Sequence, residues 1–112
     1  MDIVEIKQGA VVVIELRGRL DSNTSKILEE KLLAAIAPEQ PAMVVDCGQL
    51  DYVSSAGLRV LLMAAKKVKA ARGKLALCAL KAHVQEVFDV SGFSSIFAIH
   101  PARAAALASV GG

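Results

Sequence analysis

Hydrophobic and polar positions alternate in blocks of two kinds along this chain. Ile3 to Lys7 reads as a short strand, and Gln8-Gly9 supplies a turn. Ala10 to Arg17 follows as a β-branched run with Val12, Ile14 and Leu16 on one face and Val11, Val13, Glu15 and Arg17 on the other. Two strands joined by so short a turn form an antiparallel hairpin. Gly18 is expected to break the second strand. Asp21, Ser22, Asn23 and Thr24 then form a dense group of helix N-cap residues. Beyond them Ile27, Leu28, Leu32, Ala35 and Ile36 fall near one helical stripe, and Pro38 and Pro41 end the helix.

Met43 to Cys47 is a continuously apolar run with a polar end at Asp46, Cys47 and Gly48, which suits a short central strand buried on both faces. A second helix begins near Ser54 or Ser55 and runs to about Arg72. Leu58, Leu61, Leu62, Ala65 and Val68 mark its inner face, and Gly73 is the natural C′ residue. Leu75 to Leu80 is a strand, Val84, Val87 and Phe88 mark a short helix ending at Ser91-Gly92, and Ile96 to Ile99 is a last short strand. Pro101 opens a final Ala-rich helix whose end is expected to fray. The order ββαβαβαβα predicts an α/β fold: a mostly parallel sheet with one antiparallel edge strand, packed with about four helices. No internal repeat or linker interrupts it, so residues 1–112 are expected to form one domain.

Composition narrows the function more than the fold. Of 112 residues 19 are Ala, but Val, Leu, Ile and Phe together still contribute 36, enough for a packed core. Thirteen basic residues against eleven acidic leave a net charge of +2, which creates no field to steer nucleic acid or an anionic membrane. Lys66, Lys67, Lys69 and Arg72 crowd the end of the second helix, where cations complement the helix dipole, and no aromatic residue is interleaved with them. No basic start precedes an uninterrupted apolar stretch, and no run approaches the ~20 residues of a membrane span, so a cytoplasmic protein is expected. Cys47 and Cys78 lie in strand-like segments without a CxxC or nearby His, which points to buried reduced thiols rather than a metal site or a disulfide scaffold.

Catalytic equipment is sparse. His83 and His100 each stand near a helix start without a Ser, Cys or carboxylate pattern, and no GxxxxGK or GxGxxG loop exists. Asp46 and Asp51 flank the third strand and leave open a small phosphoacceptor or nucleotide-handling enzyme, although the first strand-to-helix loop adds only Asp21. One segment stands apart. Between Leu50 and Leu62 two hydroxyls, Ser54 and Ser55, sit at a helix start beside the small residues Ala56 and Gly57. One Ser suffices as a cap. A Gly early in a helix costs stability, so the pair of small residues suggests an entrance left open to another molecule.

At this segment the chain resembles the STAS domain family and, within it, the anti-sigma factor antagonists. Tyr52-Val53-Ser54-Ser55-Ala56-Gly57-Leu58 is similar to the family's phosphorylation motif, and Gly18-Arg19-Leu20-Asp21 to the Gly-x-Leu-Asp that closes the second strand. Leu77 to Leu80, with Val84 to Phe88 and Ser91-Gly92-Phe93, resembles the later strand–helix segment. The length leaves no room for a fused transporter. The resemblance implies a switch protein, with no enzymatic activity and no cofactor. Unphosphorylated, it binds an anti-sigma factor that is also a serine kinase; a metal-dependent serine phosphatase reverses the modification. Aligned on Gly57-Leu58, the phosphoacceptor falls on Ser55, with Ser54 in place of a frequent Asp and Ala56 in place of a second hydroxyl. Asp21 matches the family's loop Asp, and Asp21, Ser22, Asn23, Ser54, Ser55, Ala56 and Gly57 form the implied partner surface. An alternative within the same fold is a scaffold subunit of a bacterial transport or sensory complex that uses this face without phosphorylation.

Overall fold

The computed structural model describes residues 1–111. Strands β1 (Asp2–Gln8) and β2 (Val11–Leu20) form the expected antiparallel hairpin around Gly9, whose φ of 64° requires the left-handed region. Helix α1 (Ser22–Ala35), β3 (Ala42–Val53), α2 (Ser55–Ala70), β4 (Lys74–Cys78), α3 (Ala82–Ser91), a 3-10 turn (Phe93–Ser95), β5 (Ala98–His100) and α4 (Arg103–Gly111) follow. The sheet order is β1-β2-β3-β4-β5, with β2 to β5 parallel, as the pattern of elements predicts.

That order decides which face each helix covers. Each parallel crossover steps one strand in the same direction, and crossovers of this kind are right-handed, so α1, α2 and α3 lie on one face. There Ile14, Leu16, Met43, Val45 and Leu77 of the sheet pack against Leu28, Leu32, Leu61 and Phe88. Helix α4 follows the last strand and covers the other face, where Ala106 and Val110 meet Val11, Val13, Val44 and Ala76. Its Ala-rich run is helical to Gly111, with Val110 anchored in this second core; the expected fraying reaches Gly112, which lies outside the described residues. The buried thiols Cys47 and Cys78 belong to different cores, on opposite faces. Burial pushes both thiols up, that of Cys78 to about 11.

Several sequence expectations are corrected. Strand β3 does not end at Cys47 but runs to Val53. Its pairing with β2 shifts between Glu15 and Arg17 and again between Gly18 and Arg19. Each bulge inserts one residue into β3, so Cys47, Leu50 and Val53, spaced by three, all face the same core. A period of three does not read as a strand. Gly18 likewise does not end β2; with φ of 102° it sits inside the strand at the second bulge. In α1 the buried positions are Ser25, Leu28 and Leu32, and Ile27, about 100° around the helix from Leu28, is exposed. Residue Arg72, not Gly73, takes the left-handed position after α2. The hydrogen bonds Arg72 N–H to Lys69 O and Gly73 N–H to Val68 O complete a Schellman closure. Gly73 is required instead by proximity, since a Cβ there would lie 2.1 Å from the Pro41 carbonyl oxygen. Strand β4 stops at Cys78 because Ala79 is left-handed. Strand β5 begins at Ala98 because Phe93–Ser95 first make a 3-10 turn, leaving Ile96 exposed and Phe97 edge-on to Phe88 at 5.7 Å.

Candidate functional site

The parallel strands deliver their loops to one edge of the sheet, and α1 and α2 both start there. Asp21 caps α1. Its carboxylate accepts the backbone N–H of Asn23 at 3.0 Å and of Thr24 at 3.1 Å, while the Thr24 hydroxyl oxygen accepts the Asp21 N–H at 2.9 Å. These bonds, the Thr24 N–H first, hold the Asp21 carboxyl below the usual carboxylate range, so it stays charged. Ser22 and Asn23 are exposed in the first turn.

A hydrogen bond from Ser54 N–H to Leu20 O, 2.8 Å long, ties the start of α2 to the end of β2. The two serines then divide the work. Ser54 is the N-cap: its half-buried hydroxyl accepts the Gly57 N–H at 3.2 Å, and its carbonyl accepts the Leu58 N–H at 2.9 Å. Ser55 is the first helical residue, exposed, and its hydroxyl makes no hydrogen bond among the described residues. One hydroxyl is thus committed to the helix, and the other makes no hydrogen bond among the described residues.

Gly57 is corrected. It does not keep the entrance open but faces inward, where a Cβ would stand 2.6 Å from Leu20 Cγ and 3.1 Å from Val53 Cγ2. The close approach is between α2 and its own sheet. Ala56 is half-buried and borders a groove of about 510 Å³ between α1 and α2, lined also by Ser22, Ser25, Lys26, Glu29, Arg59 and Val60. Ser22 and Ala56 thus line the groove, and Asp21, Asn23, Ser54 and Ser55 are their chain neighbours at the starts of α1 and α2, with Gly57 buried against Leu20.

Further charged and aromatic groups lie beside these residues along the chain. The Arg19 guanidinium lies 4.1 Å above the Tyr52 ring, a stack possible because the second bulge brings these residues opposite each other. Lys81 pairs with the Asp51 carboxylate and holds it below the usual range; His83 Nε2 is 2.6 Å from the Asp51 carbonyl oxygen. Asp46 lies elsewhere, on the α4 face. Its carboxylate accepts from Arg103 Nε at 2.9 Å and from Gly48 N–H at 2.9 Å, and Arg103 also pairs with Glu15 at 3.1 Å. Asp46 and Asp51 therefore serve separate ion pairs and form no joint acidic site. His100 has its Nε2 buried without a partner among the described residues.

Among the described residues no helix is long and apolar enough to cross a membrane. The STAS domain profile matches residues 3–106. A candidate anti-sigma factor antagonist of Bordetella bronchiseptica, BtrV, is 42% identical over 109 residues, covering 97% of this chain and 94% of that one. An anti-sigma F factor antagonist of Paenibacillus polymyxa is 30% identical over 91 residues, covering 80% of this chain and 78% of its own. The solved structure of an anti-sigma factor antagonist from Mycobacterium paratuberculosis shares the fold, with a TM-score of 0.89 at 22% identity over 99% of this chain and 94% of that one. The profile spans nearly the whole sheet and both helix starts that build the groove, and on that ground the chain belongs to the STAS domain family.

Proposed function

We propose that this protein is an anti-sigma factor antagonist of a partner-switching pathway, acting in the cytoplasm. In its unphosphorylated form it binds an anti-sigma factor that is also a serine kinase, and the sigma factor is released. Transfer of the γ-phosphoryl group of ATP to Ser55 Oγ blocks that binding, and a metal-dependent serine phosphatase restores it. The observation that carries this reading is the division of labour at α2, where Ser54 caps the helix and the Ser55 hydroxyl is exposed and uncommitted. The naming of relatives across nearly the full chain as anti-sigma factor antagonists supports the partner class.

The physics of the switch follows from the site. A phosphoserine adds about −1.5 to −2 charges at pH 7. At the first residue of α2 it faces the positive end of the helix dipole, so the fold tolerates it and the effect falls on the interface. Asp21 stays charged at the neighbouring helix start and adds like-charge repulsion toward the phosphate rather than relief. Taking occupancy from 99:1 to 1:99 requires about 5.5 kcal/mol of differential binding. Taking an ion out of water at an interface costs several kcal/mol even where cations accompany it, so phosphate desolvation with that repulsion is of the right size.

Incubation with the kinase and ATP, followed by phosphosite mapping, tests the assignment: phosphate on Ser55, lost in Ser55→Ala, is expected. Phosphate on Ser54, or none on a chain that binds the kinase, refutes it; the latter result favours the scaffold role.

A further inference from the structure

We propose that the α1–α2 groove is the receptacle for the Ser55 phosphate, with Arg59 and Lys26 as the cations that hold it. This inference rests on the Ser55 reading and adds to it where the phosphate goes. Residues four apart on a helix are neighbours, and a helical side chain lies over the turn that precedes its own Cα. Arg59 therefore covers the turn that contains Ser55 and Ala56. It is exposed, it lines the groove, and it makes no ion pair or hydrogen bond among the described residues. Lys26 lines the same groove from α1, equally exposed and equally without such a partner.

The carboxylates nearby do not claim these cations. Glu29, across the groove, forms no ion pair with either, and Asp21 is spent on the cap of α1. Two cations and one carboxylate thus line an open groove whose α2 wall starts at Ala56, the residue after Ser55. A phosphate on Ser55 supplies the oxygens that an Arg fork pairs with in bidentate fashion, and Lys26 adds a point charge from the opposite wall. The phosphate then bridges α1 and α2, the two helices whose starts form the candidate partner surface. Phosphorylation on this account changes the shape of that surface as well as its charge.

The test uses the full chain with phosphoserine installed at position 55 by genetic encoding, so that no kinase is needed. The second ionisation of the phosphate is followed by phosphorus NMR between pH 4 and 9, against its ordinary value of about 6. Arg59→Gln and Lys26→Gln should each raise the value, Arg59→Gln by about 0.15–0.4 unit, the size expected of one exposed pair at this spacing. Arg59→Lys should retain part of the effect. Lys69→Gln removes the same charge roughly 21 Å along α2 from Ser55, beyond the screening length, and should leave the value unchanged. No shift with Arg59→Gln, a shift with only one of the two groove substitutions, or an equal shift with Lys69→Gln overturns the proposal. Failure of a kinase to modify Ser55 would count against the site assignment alone, since this titration does not depend on it.

Discussion

Substitution of Gly57 by Ala separates a packing glycine from one that admits a partner. Early in a helix Ala is the better residue, by up to about 1 kcal/mol, so without other contacts the change would stabilise α2. The structure opposes this. The new methyl would stand 2.6 Å from Leu20 Cγ, 2.9 Å from Leu20 Cδ2 and 3.1 Å from Val53 Cγ2. Leu20 is fully buried, and Cγ is its branch point rather than a free end, so it has nowhere to turn. Overpacking of this kind costs typically 1–3 kcal/mol, which outweighs the helix gain and leaves a net loss of about 1–2 kcal/mol. For a domain of this size each kcal/mol lost lowers Tm by about 4–8 °C, read by thermal denaturation followed by circular dichroism. In a Leu20→Ala background the two contacts under 3 Å disappear and only the 3.1 Å approach to Val53 Cγ2 remains, so the same substitution should cost less than in the wild type, a coupling that a double-mutant cycle measures. A higher Tm for Gly57→Ala in the wild-type background would refute the packing argument and return Gly57 to the role of an open entrance.

Ser54→Ala should cost about 1 kcal/mol in urea unfolding through loss of the cap, whereas Ser55→Ala should stay within ~0.5 kcal/mol. Equal losses would undo the division of labour between the two serines. Arg103→Ala strands the half-buried Glu15 and Asp46 carboxylates and should destabilise by about 1.5–3 kcal/mol, while Arg17→Ala, at the exposed end of a 3.7 Å pair, should change stability by less than ~0.5 kcal/mol. Asp21 and Asp51 both titrate below their unfolded value, so they contribute stability above about pH 3.9 that is lost as pH falls through their folded values. The double substitution Asp21→Asn with Asp51→Asn should flatten the acid limb of stability measured between pH 5 and 2.5.

The strand and helix order was legible because it depends on the local hydrophobic period and on caps such as Asp21 and Ser54 that act within three residues. What was not legible arises between segments. The two bulges turn Cys47, Leu50 and Val53 to one side and lengthen β3 past its apparent end, and only pairing with β2 reveals them. The same pairing sets Arg19 on Tyr52. Gly57 and Gly73 look in sequence like helix punctuation, yet each is selected by a neighbour distant along the chain, Leu20 in one case and Pro41 in the other. The candidate site was legible as a motif, since Ser54, Ser55 and Asp21 are each recognisable beside a helix start. Arg59 and Lys26 were not, because nothing in an exposed cation on a helix announces the groove it faces.

The central claim is that Ser55 carries the switch. The most direct measurement is calorimetric titration of the anti-sigma factor kinase with two forms of the chain, unmodified and phosphorylated at Ser55. The account predicts binding by the unmodified form and an affinity lower by about 10⁴-fold for the phosphorylated form, with both forms equally folded. Equal affinities for the two folded forms would contradict it.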